Sequence, residues 1–460
     1  MCGVFGVVSS EPVASKAIYG IYDLQHRGEQ GAGIVVSNGE ELKAHKGFGL
    51  VAQVFDHGHK EKVVREFSGQ FGIGHTLYST IGNDGSEKQT KAIQPLIGDF
   101  HGTEFAVAHN GNLIELDELR KQAKGYNFQS NVSDTEVIVA LISTSKKKDF
   151  IQALVDILPK LRGSFSLTIL FRDKVIGVRG PNGIRPLCIG RDKKSVMIAS
   201  ESCAFYTEGG DFVRDVKPGE LVVLGLDGIE QDFTWAKDPS LNICIVEFVY
   251  FARPDSIIDG VSVYRYRYMA GGFLAEEHPA KADIVFGVPD SATIYDDAYA
   301  LASNIPKMPG IFRNRYIVTR TFLTDRNTDR ADLQTRKLHP LRWVVHNKKV
   351  VIVEDSVMRA NVFPAAICQV RSKGATEVHA RIGSSPVKYP CYLGIDMHTR
   401  VELVASSLSV EEIGKRVLQS DSIGYLSLEK MIESTGLPKK NLCLGCFIGK
   451  YPVECNKACI

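Results

Sequence analysis

Apolar and polar residues alternate in short runs through the first half of the chain: FGVVSS, GAGIVVSNG, FAVAHNGN, SFSLTILF, DKVIGVRG and SVMIASES. That period of two, broken by Gly, Asn and Asp turns, predicts strands. Among them SDTEVIVALISTS predicts a helix capped by Ser133, with Glu136 three residues on as in a capping box. GELVVLGLDGIEQDFTW closes this mixed α+β half, and the polar AKDPSLN reads as a linker, so the expected domains are residues 2–235 and 242–460.

The second half changes character. Continuous apolar runs are each followed by a helical segment: ADIVFGVPDS then ATIYDDAYALASN, KKVVIVEDS then FPAAICQVRSKGA, then TEVHARIGSS. Such runs joined by helices favour right-handed βαβ units and a parallel sheet. Ligands of these sheets bind beyond the carboxyl ends of the strands, where VPDS and VEDS fall.

Composition narrows the function classes. At 460 residues, 44% hydrophobic and 23% charged, the chain suits two or three domains, and a formal net charge of +2 implies neither a nucleic-acid coat nor a membrane-surface protein. The longest apolar runs are too short for a membrane span, and the first residues lack a signal-peptide pattern, so the expected location is the cytoplasm. Ten cysteines in such a chain are better read as ligands, nucleophiles or buried apolar residues than as a disulfide framework.

The first of them opens the chemistry. In MCGVFGVVSS, removal of Met1 would leave Cys2 with a thiol and a free α-amine, and an α-amine titrating near pH ~8 can accept the thiol proton directly or through water. Downstream, AHNGN offers the Asn110 side-chain amide and the Gly111 backbone N–H, donors of the kind that stabilise a tetrahedral oxyanion, and Asp134 can hold a substrate ammonium. Each pattern alone has a bland explanation as a turn or a capped helix. Their joint order is much more specific.

With CG at the start followed by LQHRG, GH..YST, HNGN and SDTE, the chain resembles the class II, N-terminal-nucleophile glutamine amidotransferases. The resemblance implies a four-layer αββα domain that hydrolyses glutamine through a thioester and passes ammonia to a second domain. It makes Cys2 the nucleophile, Asn110 and Gly111 the oxyanion hole, Asp134 the partner of the glutamine amine, and Arg27 a support for the nucleophile region. One position departs: Leu77 stands where the family has an arginine for the glutamine α-carboxylate.

EFVYFARPDSIIDGVSV, GVPDSA, FRNRY, VVIVEDSVMR and DSIGYLSLE extend the resemblance, nearly end to end, to the glutamine phosphoribosylpyrophosphate (PRPP) amidotransferases, which make phosphoribosylamine in the first step of purine synthesis. The second half is then expected to be an α/β phosphoribosyltransferase-type domain with a mainly parallel sheet. A strand ending in Glu354 and Asp355 could hold a ribose diol or its Mg²⁺, with a phosphate cradled by the next loop at a helix N-terminus. By resemblance Ser291 joins those two acids in a magnesium site, and Arg313, Arg315, Arg320 and Arg359 contact PRPP. The phosphate loop departs from the family's DDSIVRGTTS: Ala360 replaces a glycine, Asn361 and Val362 two threonines, and Phe363 a serine.

Cys443 and Cys446 have a chelating spacing that suits zinc, redox chemistry or chance, and Cys244 and Cys391 are too distant in sequence to be assigned by spacing. The resemblance implies that these four hold a structural [4Fe-4S] cluster; zinc is the alternative. Cys188, Cys203 and Cys368 are expected to be buried apolar residues, and Cys455 and Cys459 loose terminal thiols. A homo-oligomer and purine-nucleotide feedback follow from the resemblance alone. Three readings stand in order: an active enzyme using glutamine and PRPP; a diverged paralogue with another phosphosugar or nitrogen donor; and a non-catalytic regulatory partner.

Overall fold

A computed structural model describes residues 1–56, 58–78, 93–128, 133–317 and 337–455. The first half builds two stacked antiparallel sheets. One has seven strands: β1 (Gly3–Ser9), β2 (Gly31–Ser37), β3 (Leu42–Phe48), β4 (Phe71–Leu77), β9 (Cys188–Arg191), β10 (Ser195–Ala199) and β11 (Asp211–Asp215), in the order β11-β9-β10-β1-β4-β2-β3. The other has six: β5 (Leu96–Phe100), β6 (Thr103–Leu113), β7 (Gly163–Phe171), β8 (Lys174–Arg179), β12 (Glu220–Gly225) and β13 (Gly228–Thr234), in the order β13-β12-β8-β7-β6-β5.

Every residue of β1 is buried, and its period-two pattern shows why. Val4 and Val8 face the other sheet, beside Ile73, Ala106, Leu170 and Val175. Phe5 and Val7 face outward onto Ala14, Ala17, Ile18 and Ile21 of the helix Ala14–Asp23. The helices Asp134–Ser143 and Phe150–Ile157 cover the outer face of the six-stranded sheet, packing Val137, Leu141 and Leu154 against Val107 and Leu167. The result is the expected four-layer αββα arrangement. The helix cap is as read from sequence, with Ser133 Oγ accepting the Glu136 N–H at 3.1 Å.

The second half centres on a four-stranded parallel sheet: Ile284–Gly287, Lys349–Glu354, Glu377–Ile382 and Ser422–Tyr425, each paired with the next. Val285, Val351 and Val353 point to one apolar core, whereas Ile284, Phe286, Val350 and Ile352 point to another. Both faces are therefore covered, as a parallel sheet requires. No helix among the described residues is long and apolar enough to cross a membrane.

Candidate active sites and the comparisons with known proteins

Cys2 immediately precedes β1, whose Gly3 pairs with Thr76 of β4, so the thiol lies at the end of the strand pair. The Tyr78 N–H donates to Cys2 Sγ at 3.4 Å, and the Gly3 N–H donates to Thr76 Oγ1 at 3.2 Å. Arg27, wholly buried in the turn Gln25–Arg27, donates from Nε to the Cys2 carbonyl at 3.0 Å. Its two terminal nitrogens lie 3.0 and 3.1 Å from the Glu247 carboxylate, and it also pairs with Glu201. Burial alone would weaken the guanidinium's hold on its proton, but the Glu247 and Glu201 carboxylates reverse this and raise its pKa. Sequence reasoning placed Arg27 here and missed both acids. They are 174 and 220 positions away from it, beyond any local pattern.

Met1 is buried as well, its sulfur against the Arg185 guanidinium. Burial pushes its α-amine down to about 5, opposed by charge on Cys2 and reinforced by Arg27 and Arg185. Burial likewise raises the Cys2 thiol.

The other candidate donors come from β6. His75 of β4 bonds the His109 carbonyl at 3.2 Å, joining the two sheets one residue before Asn110, and burial pushes this imidazole down to about 3. Asn110 is wholly buried, with neither side-chain Nδ2 nor Oδ1 bonded among the described residues. A buried amide without a partner is costly, at about 1–3 kcal/mol, and suits a group kept for a ligand atom. At Gly111 a Cβ would lie 2.0 Å from the Ser164 carbonyl and 2.8 Å from His109 Nε2, so glycine is required there. Asp134 keeps 20% of its side chain exposed. Burial would raise its pKa, but His109 and the N–H groups of Leu113 and Thr135 outweigh that and hold the carboxyl below its usual range. An ionised, partly open carboxylate is what an ammonium needs. Leu77 ends β4 beside this site; the residues after Tyr78, 79–92, lie outside the described ones.

The second half reaches into the first at this point. Tyr392 and Leu393 offer carbonyls to Asn112 Nδ2 at 2.9 Å and Ser164 Oγ at 2.7 Å. Gly394, at φ +103°, lies against the Gly111 backbone, and a Cβ there would stand 3.3 Å from the Gly111 carbonyl carbon. Tyr78 Oη donates to Asp396 Oδ2 at 3.1 Å.

The acceptor residues gather at the carboxyl ends of two adjacent parallel strands. Gly287 pairs with Val353, and the Val288 N–H donates to the Val353 carbonyl at 2.9 Å, so VPDS and VEDS lie side by side. Ser291 lies beside both acids and lowers the pKa of each. Both acids are buried, and burial together with the neighbouring charge makes Glu354 hold a proton well above its usual range, with Asp355 raised too. Hard oxygen ligands of this kind suit a divalent cation.

Arg313 ends the short strand Ile311–Arg313 and pairs with Asp290 of VPDS, which brings it to the same edge. Arg315 is exposed, without a polar partner among the described residues, and Arg320 lies outside them. Arg359 follows the acidic strand end but turns toward Glu402, donating from Nε at 2.6 Å, and toward the Asp396 carbonyl at 2.8 Å. Ala360 has φ +51°, the left-handed region that favours glycine. The helix Phe363–Ser372 that follows starts at Val362 without a side-chain cap.

The four remote cysteines also converge. Cys244 and Cys443 are direct partners in a parallel pair, Ile243–Cys244 with Leu442–Cys443. The Cys446 carbonyl accepts the Lys388 and Tyr389 N–H groups at 2.9 and 3.0 Å, just before Cys391. All four are buried in one apolar core. Burial, then neighbouring cysteine charge, raises Cys443 and Cys446, and burial pushes Cys244 up to about 11. Four buried thiols fit a thiolate-bound centre, although among the described residues no group of three or more His, Cys, Asp or Glu side chains is placed to hold a metal ion. Cys188 and Cys203 are buried as expected. Cys368 is not: it lies on the solvent face of the helix Phe363–Ser372. Cys455 is disulfide-bonded rather than a loose thiol.

The profile of the family described as "Glutamine amidotransferase domain" matches residues 85–207. The chain is 42% identical to the amidophosphoribosyltransferase of Methanocaldococcus jannaschii over 99% of its own length and 98% of that protein's. It is 40% identical to that of Bacillus subtilis, over 98% and 94%. Among solved structures, the glutamine PRPP amidotransferase of B. subtilis complexed with ADP and GMP superposes with a TM-score of 0.91 at 38% identity, covering 100% of this chain and 99% of that one.

Proposed function

The chain belongs to the amidophosphoribosyltransferases, which use glutamine to aminate PRPP at the first step of purine synthesis, and from that premise we propose which of its residues carry the reaction. Once Met1 is removed, the Cys2 α-amine accepts the thiol proton and Sγ attacks the glutamine amide carbon. Asn110 Nδ2 and the Gly111 N–H receive the oxyanion, and Asp134 the substrate ammonium. Ammonia leaves, water cleaves the thioester to glutamate, and the ammonia displaces pyrophosphate from C1 of PRPP. Arg27, clamped by Glu201 and Glu247, fixes the Cys2 carbonyl and hence the direction of the thiol. The single observation that carries this reading is the wholly buried Asn110 amide, without a partner among the described residues, next along β6 from the His109 that lies 3.5 Å from an ionised Asp134.

At the acceptor site Ser291, Glu354 and Asp355 would hold Mg²⁺, which supplies charge neutralisation for the departing pyrophosphate. Arg313 stands where it can meet the same anion, and Arg315, Arg320 and Arg359 are proposed to join it when PRPP binds. The division into residues 2–235 and 242–460 follows the two sets of sheets. Cys244, Cys391, Cys443 and Cys446 are the proposed ligands of a structural [4Fe-4S] cluster, supported by their burial in one core. A cytoplasmic location, a homo-oligomer and purine-nucleotide feedback complete the proposal; the B. subtilis structure complexed with ADP and GMP supports the last.

The test is pyrophosphate release from PRPP and Mg²⁺ by anaerobically purified protein, with glutamine and with ammonium chloride in parallel. Turnover with glutamine is expected. Turnover with ammonia alone would place the defect at Leu77, and none with either, from folded protein, would overturn the residue assignments and favour the paralogue.

A further inference from the structure

Arg185 is wholly buried between the two chemistries, and nothing assigned above uses it. Its backbone neighbour Ile184 accepts the Cys244 N–H at 3.3 Å. One terminal nitrogen donates to the Leu393 carbonyl at 2.7 Å, and the Leu393 N–H in turn points to Cys391 Sγ at 3.3 Å. The other terminal nitrogen donates to Glu247 Oε1 at 3.1 Å and also meets the Met1 sulfur, which it loses when Met1 is removed. Its Nε–H is buried with no partner among the described residues, and Cys244 and Cys391 lie within electrostatic reach of the guanidinium.

Glu247 is the same carboxylate that grips Arg27, whose Nε holds the Cys2 carbonyl. A continuous line therefore runs from the cysteine quartet through Arg185, Glu247 and Arg27 to the nucleophile. We propose that Arg185 is a positioning residue joining the two centres: its unpaired Nε–H donates to a liganded sulfur of Cys244 or Cys391, and its terminal nitrogens transmit the packing of that centre to Glu247, Arg27 and Cys2. A buried guanidinium opposite thiolate sulfur is a charge-assisted donor, and such outer partners orient ligands and tune metal centres. Emptying the quartet removes the acceptor, and the guanidinium then reorganises together with the carboxylate it shares. This inference rests on the quartet holding an iron-sulfur cluster.

The experiment uses full-length, anaerobically purified protein and reads three quantities: iron and sulfide per chain, the rate at which visible absorbance bleaches in air, and the rate of Cys2 alkylation by iodoacetamide followed by peptide mass spectrometry. In the wild type, Cys2 alkylation is expected to change at least threefold in step with bleaching. Arg185→Lys keeps the charge but loses the fork; it is expected to load iron, to bleach at least threefold faster, and to uncouple Cys2 alkylation from bleaching. Arg381→Lys, at another buried arginine, bonded to the His278 and Ala380 carbonyls at 2.6 and 2.8 Å, controls for lost packing and is expected to bleach like the wild type. A wild-type Cys2 indifferent to iron loss overturns the link. So does an Arg185→Lys protein that bleaches at the wild-type rate, or an Arg381→Lys protein that bleaches as fast as Arg185→Lys. Should Arg185→Lys fail to fold, the wild-type time course decides alone. Wild type without iron or sulfide before any exposure to air sinks the cluster reading itself, and this inference with it.

Discussion

Tyr78 and Asp396 are joined by a 3.1 Å hydrogen bond that ties the residue contacting the Cys2 thiol to the loop gripping Arg359. Tyr78 belongs to the N-terminal half of the chain and Asp396 to the C-terminal half. Asp396 is held ionised, its pKa lowered to about 2 chiefly by His398 and Arg359 against the effect of burial.

Tyr78→Phe deletes one bond to a charged acceptor, an effect of about 1.5–3 kcal/mol when fully enclosed and less at this partly exposed site. The expected outcome is weaker communication with little loss of fold: more glutamate formed per phosphoribosylamine, and a thermal midpoint within a few degrees of wild type. Product ratios under saturating PRPP check it. An unchanged ratio would show that the bond carries nothing between the halves.

Leu77 is proposed, from the resemblance alone, to stand where the family has an arginine for the glutamine α-carboxylate. A charge-assisted contact made in an enclosed site is worth roughly 2–5 kcal/mol, so Leu77→Arg is expected to lower the glutamine KM by about tenfold or more while leaving the ammonia-dependent rate unchanged. Steady-state kinetics with the two nitrogen donors decide. If the KM stays where it was, another cation already fills the role.

Ala360 has a left-handed backbone that costs an L-residue about 1–2 kcal/mol. Ala360→Gly relieves the strain, partly offset by the freedom glycine gains in the unfolded chain. We expect a slightly higher thermal midpoint and a lower PRPP KM, since the loop's N–H groups can then approach a phosphate more closely. A fall in stability would mean that the alanine methyl makes contacts worth more than the strain.

Glu201 is fully buried and ionised; burial opposes its charge, but His26 and Arg27 more than compensate, so its folded pKa lies below the ordinary value. A carboxylate with a depressed folded pKa contributes stability that is complete above its unfolded value, near pH ~4.3, and is lost as pH falls toward the folded one. Glu201→Gln should therefore lower the midpoint at neutral pH and flatten its decline below about pH 4.5. Parallel decline of the two proteins in acid would assign the acid sensitivity elsewhere.

Much of this was legible in the sequence for definite reasons. The period-two strands and the Ser133 cap are local signals, and they formed where expected. VPDS and VEDS met because adjacent parallel strands place their carboxyl ends together. Glu247, Arg185 and Asp396 were not legible because each acts across the boundary between the halves, and Glu201 because Arg27 lies 174 positions away from it; in each case pairing depends on packing rather than spacing. Cys368 shows the opposite failure: on a helix with one buried stripe, an apolar type says little about which face it occupies.

The Gly394 and Gly111 backbones, one from each half of the chain, run so close that a Cβ on Gly394 would stand 3.3 Å from the Gly111 carbonyl carbon. The strand Thr103–Leu113 therefore borrows part of its shape from a loop more than 250 residues downstream, with no side chain on either glycine to absorb a misfit. Anyone grafting this glutaminase onto a different acceptor would have to carry that loop along, which makes the protein a poor source of interchangeable parts despite its two-part construction.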